Sequence, residues 1–506
     1  MNPHPSELAT IRVKTKSPLL RQRYGSTLFA RTALVFSVML LTACAHNTPP
    51  DLTQHLPEHW QHQIPEAKLP APDLHAWWKS FHAPDLDVLI DQSLKQNLTL
   101  AAAREHIRAA RILTENSPNK FLPDLHLRTD DLPSPSATTS YFRAGVDSTW
   151  ELGLFGKRAA SQQIAQSELV SVEAQTQMAR VSLVAEVVRA WVALRTAQQQ
   201  VLLLNQMIDQ IQQQISLGQQ RIELGLSTSN SLLALQSNQS HQIKLRLEKQ
   251  SEIDQAIEQL ALLQGRDIGD PTLVQPTTLP VIADFSIESI PADLIRIRPD
   301  IQQAEASVLQ AAGQLGVAKA QRYPSISIAG SYMYSVQLLG KFSFHNSSVH
   351  GVGSFGPEID IPLFDWGQRK AKAEAQGAEL NAAVFSYRQT VLEAVHEVES
   401  SIASVNAQRQ RTLEQIKMTH TAQHVLAARQ SLTSLGLASK LDMLDDQQSL
   451  LQTQLELAEI NKDHALAYIT MYKALGGAPI YDPAPPLGKS SNLSKDAPLP
   501  LSRLGG

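Results

Sequence analysis

One stretch of this 506-residue chain is written twice, and that repetition limits what the rest can fold into. Residues 158–265 read as two helical arms around the turn Leu224-Gly225-Leu226-Ser227-Thr228-Ser229-Asn230. Residues 369–476 repeat the pattern around Leu435-Gly436-Leu437-Ala438-Ser439-Lys440. The copies are offset by 211 positions at their starts, at Gly225 and Gly436, and at their ends. Loops tolerate insertions, so a constant offset over more than a hundred residues means rods that must have equal length. Repetition of this kind decides the architecture before any local reading does.

The period makes the arms helices. Leu183, Val187, Ala190, Leu194, Ala197, Val201, Leu204, Ile208, Ile211 and Ile215 step by four and three, as do Leu380, Val384, Tyr387, Val391, Ala394 and Val398. That is a heptad seam, which supercoils helices left-handedly. Gly218 is the only glycine and there is no proline between positions 158 and 224. A helix of roughly 65 residues is about 100 Å long. By itself this stretch also fits a cytosolic coiled coil.

The front of the chain addresses it elsewhere. Arg12, Lys14, Lys16, Arg21, Arg23 and Arg31 precede a short apolar run, residues 32–41. The run is too short for a permanent span and fits a signal peptide covering 1–43. Leu41-Thr42-Ala43-Cys44 resembles a bacterial lipobox, which implies a diacylglycerol and an N-acyl chain on Cys44. Ala45 after it resembles lipoproteins sent to the outer membrane. Cys44 is the only cysteine, so no disulfide can form within the chain. Removing 1–43 takes six of the 44 Lys and Arg and one of the 48 Asp and Glu, leaving a net charge of −9. That argues against nucleic acid as a partner. No later segment has the length and apolarity of a membrane helix, so a crossing must be made by strands.

Such strands are present, also in duplicate. Residues 85–116 read as one amphipathic helix with Leu86, Leu89, Ile90, Leu94 and Leu98 on one face. Residues 98–125 match 298–326 at an offset of 201, with Pro123 and Pro324 in register. After each proline comes alternation: Leu125 and Leu127 with His126 and Arg128, then Ile326, Ile328, Gly330, Tyr332 and Tyr334 with small or polar residues. A returning strand follows each. Phe142, Ala144, Val146, Trp150, Leu152 and Leu154 oppose Arg143, Asp147 and Glu151; Phe355, Ile359, Ile361 and Leu363 oppose Glu358 and Asp360. Ten-residue strands with one apolar and one charged face fit a barrel wall between lipid and water, although a half-buried soluble sheet alternates too. Four strands cannot close a barrel, and open edges are intolerable in lipid. The chain is therefore expected to oligomerise.

The expected organisation is a signal peptide (1–43), a lipidated extended segment (44–80), a first repeat (81–265), a Pro-rich connector (266–291), a second repeat (292–476) and a tail (477–506). Each repeat holds a helix, a β-hairpin and a long helical hairpin. Trp77, Trp78 and Phe81 are expected to tuck the N-terminal segment against the body. His55, His59 and His62 lack an acidic or cysteine co-ligand and read as a solvated linker rather than a metal site.

Trp150-Glu151-Leu152-Gly153-Leu154-Phe155-Gly156-Lys157-Arg158, Arg298-Pro299-Asp300-Ile301-Gln302-Gln303-Ala304-Glu305, Tyr323-Pro324-Ser325-Ile326 and Pro362-Leu363-Phe364-Asp365-Trp366-Gly367 resemble outer-membrane efflux proteins. With Cys44, the chain is similar to the NodT-type lipoprotein branch of TolC-like channels. The resemblance implies an α+β membrane protein. It would form a homotrimer with a 12-stranded outer-membrane β-barrel, a 12-helix periplasmic α-barrel and a mixed equatorial region. It further implies a passive exit duct for small toxic compounds in a tripartite RND- or MFS-type pump of a Gram-negative bacterium. A periplasmic adaptor and an inner-membrane transporter would be its partners. A type I secretion duct for polypeptides is the nearer alternative, and a lipid-anchored coiled-coil scaffold without a pore the more distant one. No phosphate-cradling loop, zinc-type HExxH or nucleophile elbow occurs, so neither an enzyme nor a bound cofactor is expected beyond the lipid.

Two sites are expected at the ends of the helical arms away from the strands. Leu224, Gly225, Leu226, Leu435, Gly436 and Leu437 form turns that fit adaptor-contact tips. After the second turn, Leu441-Asp442-Met443-Leu444-Asp445-Asp446 places Asp442 and Asp445 on one helical face. Ser231 and Ala234 stand at the matching places of the first copy. The resemblance makes Leu441, Asp442 and Asp445 a periplasmic gate. Helix N-terminal charge complementing the dipole is the plainer alternative. Ala438 and Gln448 stand where an Arg can occur in the family, which leaves a salt-bridge latch open.

Overall fold

The computed structural model describes Leu52, Trp60–His62, Leu69–Pro70 and residues 73–132, 139–226, 228–277, 279–280, 285–286, 296–339, 349–478 and 480. The signal peptide, Cys44, His55, His59 and the tail from 481 lie outside the described residues. The chain divides into two compact units.

The described part of the first unit, Pro118–Ser161 and Gln314–Glu374, holds a four-stranded antiparallel meander. Its strands are β1 (Asp124–Leu132), β2 (Thr139–Glu151), β3 (Ser325–Leu339) and β4 (Val349–Asp360), paired in chain order. Among the described residues, the edges β1 and β4 each pair on one side only. The register puts Leu127 opposite Val146, Val146 opposite Tyr332, and Tyr332 opposite Gly353. One face therefore carries Leu125, Leu127, Trp150, Ile328, Tyr332, Tyr334, Phe355 and Ile359. The other carries Arg128, Arg143, Asp147, Glu358 and Asp360. The returning strands end earlier than the alternation extends. Leu152, Leu154, Ile361 and Leu363 lie beyond β2 and β4, because left-handed backbone at Phe155-Gly156 and Trp366-Gly367 turns the chain into helices.

The second unit comprises Pro50–Ser117, Gln162–Gly313 and the described residues from Ala375 onward. Its entry helices are α1 (Pro84–Gln96) and α2 (Leu98–Asn116). They correct the expectation of one helix over 85–116. Asn97 is extended at ψ 124°, its side chain accepts from the Leu100 amide at 3.0 Å, and its Nδ2 donates to the Leu263 carbonyl at 3.0 Å. A side chain that caps a new helix competes with continuing the old one. Leu98, just past the break, is exposed rather than on the apolar face.

The long helices are α3 (Lys157–Glu223), α4 (Ser229–Leu263), α6 (Gln368–Ser434) and α7 (Lys440–Ala474), with α5 (Pro299–Ala320) opening the second repeat. α3 and α6 have 67 residues each, α4 and α7 have 35 each, and every boundary is displaced by 211. Most of the α3 seam is buried: Val187, Leu194, Ala197, Leu204 and Ile211 are all at most 2 % exposed.

The core of this unit gathers around aromatic residues. Trp77 stacks on Tyr472 with ring centroids 5.3 Å apart, and its Nε1 donates to the Gly477 carbonyl at 3.0 Å. Phe81 meets Trp191 edge to face at 5.9 Å. Trp77, Trp78 and Phe81 are packed into the body as expected, and Trp60, too, is buried in this cluster. His62 departs from the solvated-linker reading. The amides of Gln61 and His62 donate to Glu399 at 2.7 and 3.2 Å, and His62 Nδ1 lies 2.9 Å from Glu399 Oε2. Arg298 joins three helices. It donates to Asp300 at 2.7 Å, to Glu397 of α6 at 2.8 Å and to the carbonyl of Ala474, the last residue of α7.

Candidate functional site

The sheet is the first part of the site. Among the described residues nothing covers its apolar face: Leu125, Leu127, Phe355 and Ile359 are all more than half exposed. Glycines on that face lie under aromatic rings. A Cβ at Gly353 would meet the Tyr332 ring at 3.1 Å, and one at Gly330 would meet Phe355 at 3.1 Å. Rings laid over strand glycines protect backbone that lacks its own side chain. Large apolar faces are normally buried, and aromatic and aliphatic groups standing outward on a strand are suited to lipid. Among the described residues no helix is long and apolar enough to cross a membrane.

The helical turns are the second part. Gly225 (φ 76°) and Gly436 (φ 73°) end α3 and α6 alike. Gly225 N donates to Ile222 O and Leu226 N to Arg221 O; Gly436 N donates to Thr433 O and Leu437 N to Leu432 O. These are paired Schellman closures, which need the left-handed residue. Leu224, Leu226, Leu435 and Leu437 are 65–73 % exposed, and a Cβ at either glycine would meet nothing within 4 Å. The expected tips are therefore open surface.

The carboxylates behind the second turn are the third part. Ser439 caps α7 by accepting from the Leu441 amide at 3.0 Å. Leu441 is half-buried, and Asp442, in the first turn, is exposed. Asp445 Oδ1 accepts from Gln214 Nε2 of α3 at 2.7 Å. Its carboxyl is held above the ordinary range, first by partial loss of water, then by repulsion from Asp442 and Asp446; the Gln214 bond acts the other way. Asp446 Oδ2 accepts from Arg429 Nε of α6 at 2.7 Å. That bond, followed by the Asp446 charge, raises the Arg429 guanidinium pKa.

Two of these partners escaped the sequence reading. Arg429, on the opposite arm, pairs with Asp446; the sequence reading looked for such a basic group only at positions 438 and 448. The signal was available: Arg429 and Asp446 are equidistant from the turn, so antiparallel arms bring them level. Gln214 could not be found this way, because it belongs to the other repeat. Among the described residues no group of three or more His, Cys, Asp and Glu could hold a metal ion.

The outer membrane efflux protein family model matches this chain at residues 89–266 and again at 290–477. The chain belongs to the outer membrane efflux protein family. The starts and ends of the two matches are displaced by 201 and 211, the same offsets found in the sequence. This efflux protein is 28 % identical to Nodulation protein T of Rhizobium leguminosarum bv. viciae over 452 residues, 86 % of this chain and 91 % of that one. It is 26 % identical to the pyoverdine export outer membrane protein OpmQ of Pseudomonas putida, over 86 % of this chain and 95 % of that one. The solved outer-membrane channel OprN superposes with a TM-score of 0.71 at 26 % identity, covering 85 % of this chain and 99 % of that one. The efflux protein acts as a channel of the outer membrane.

Proposed function

We propose that three copies of this efflux protein close one pore. Each gives β1–β4 to a twelve-stranded outer-membrane barrel and α3, α4, α6 and α7 to a twelve-helix periplasmic tunnel, with a mixed equatorial region. A lipid on Cys44 anchors each copy. The pore is the passive exit duct of a tripartite RND- or MFS-type pump, and energy comes from the inner-membrane transporter. The observation that carries this reading is a sheet with an uncovered apolar face and two free edges. In lipid such edges must be paired. The exposed tips at Leu224–Leu226 and Leu435–Leu437 fit contact with a periplasmic adaptor. Leu441, Asp442 and Asp445 fit a gate, in which carboxylates from three copies would repel and attract cations. The family and the export function in the name of the pyoverdine relative support a small-molecule cargo.

Purified protein in planar bilayers tests the pore and the gate together. Discrete, cation-sensitive conductance from a species of trimeric mass is expected. Asp442→Ala with Asp445→Ala is expected to raise conductance and weaken cation block. A monomer without conductance would overturn the pore, and an unchanged block would overturn the gate.

A further inference from the structure

The second copy of the long arm carries two histidines that the packing of the fold does not use. We propose that His420 and His424 of α6 chelate a borderline divalent metal ion, copper(II) or zinc(II), on the open face of the helix. The pair is distinct from the carboxylates behind the turn. Arg429, which meets Asp446, is nine residues on from His420 and therefore about half a turn round the helix.

Residues four apart on a helix are neighbours on its surface. The two imidazoles use that proximity: their ring centroids are 4.4 Å apart and their planes 78° from parallel. Both side chains are exposed. Among the described residues no hydrogen bond or ion pair occupies either ring, so each neutral imidazole keeps a nitrogen lone pair for a ligand. No other two histidines of these helices stand three or four apart.

The pair belongs to one repeat only. At the offset of 211 its counterparts in α3 are Asp209 and Gln213, which offer no imidazole. Those counterparts show which face the pair occupies. α3 has neighbours on two sides: Gln212 accepts from Gln239 of α4 at 2.8 Å, and Gln214 donates to Asp445 of α7 at 2.7 Å. Asp209 and Gln213 are nonetheless exposed. By the repeat, the histidines stand on a face of the rod that helix packing leaves to water, not on a flank that another helix covers.

Imidazole nitrogen suits copper and zinc, whereas magnesium and calcium take oxygen ligands. Such a nitrogen sits about 2.0–2.1 Å from zinc, and two exposed side chains one turn apart are free to rotate until a single ion bridges them. Two protein ligands leave the remaining positions to water, so the ion exchanges with solution and is no fixed part of the fold. The nearest cationic group along the helix, Lys417, donates to Glu414 at 2.8 Å. That ion pair offsets its repulsion of a metal ion. Joining two imidazoles on one ion raises affinity over either alone by about a hundredfold.

Copper(II) alone, titrated at mildly alkaline pH into full-length protein from outer-membrane fractions, tests the chelate. One tightly held ion per chain is expected, with an electron paramagnetic resonance spectrum coupled to two nitrogens. Copper on carboxylates shows no such coupling. His420→Gln and His424→Gln should each weaken that ion about a hundredfold. His424→Val with Val425→His keeps the number of histidines but turns one ring away from the other, and should bind as weakly as the single variants. Exposed substitutions of this kind change stability little, so each variant reports binding. Magnesium at the same concentration should displace nothing. Unchanged binding in either single variant, full binding by the swapped chain, coupling to fewer than two nitrogens or displacement by magnesium overturns the chelate.

Discussion

At the scale of residues, charge near the second turn is organised by partners from two other helices. Arg429 neutralises Asp446 and Gln214 holds Asp445, while Asp442 faces solvent. The raised carboxyl of Asp445 fixes the sign of a pH effect. A carboxylate with a raised folded value contributes stability while protonated and loses it as pH rises through that value. Acidification from neutrality therefore removes the charge on Asp445 before that of an unperturbed surface carboxylate. Cation block of the conductance is expected to weaken as pH falls, and Asp445→Asn should move that transition to lower pH. An identical pH profile in the variant would remove Asp445 from the cation-binding set. Asp442 and Asp445 were legible from their spacing and position after the turn. The shift on Asp445 was not, because it depends on how the helices pack around the carboxylate and on a hydrogen bond from Gln214 of α3.

At the scale of elements, the same backbone conformation occurs in opposite surroundings. Gly436 and Gly153 both have positive φ, 73° and 61°. Around Gly436 there is open space, whereas a Cβ at Gly153 would fall 2.5 Å from the Phe121 ring. Gly436→Ala should cost about 1–2 kcal/mol, the penalty for a side chain in left-handed backbone, and lower the thermal midpoint modestly. Gly153→Ala adds an overlap with a buried ring at the strand-to-helix turn and should greatly reduce folded protein in outer-membrane fractions. Equal effects of the two changes would contradict this comparison. Helix lengths and the turn positions were readable because period and offset are local properties of the sequence. The break at Asn97 was partly hidden, since apolar spacing runs through it and only the cap marks it. The ends of β2 and β4 were overrun for the same reason: alternation continues into a turn that Phe155 and Trp366 make by adopting positive φ.

At the scale of the whole molecule, the proposed multi-copy pore rests on the exposed apolar sheet face and on edge strands that, among the described residues, each pair on one side only. A deletion strain is expected to become several-fold more susceptible to some members of a panel of antibiotics, dyes, aromatic acids and metals. Unchanged susceptibility together with loss of a secreted polypeptide would favour the polypeptide duct. The sequence alone determined the doubled architecture, the equal rods, the two-faced strands and the family, because periodicity and fixed offsets survive without knowledge of contacts. Only the tertiary structure decided that Gln214 reaches Asp445, that Glu399 holds Gln61 and His62, and which strands, among the described residues, pair on one side only. Those facts depend on groups distant in sequence coming within hydrogen-bond range, and no local pattern records that distance.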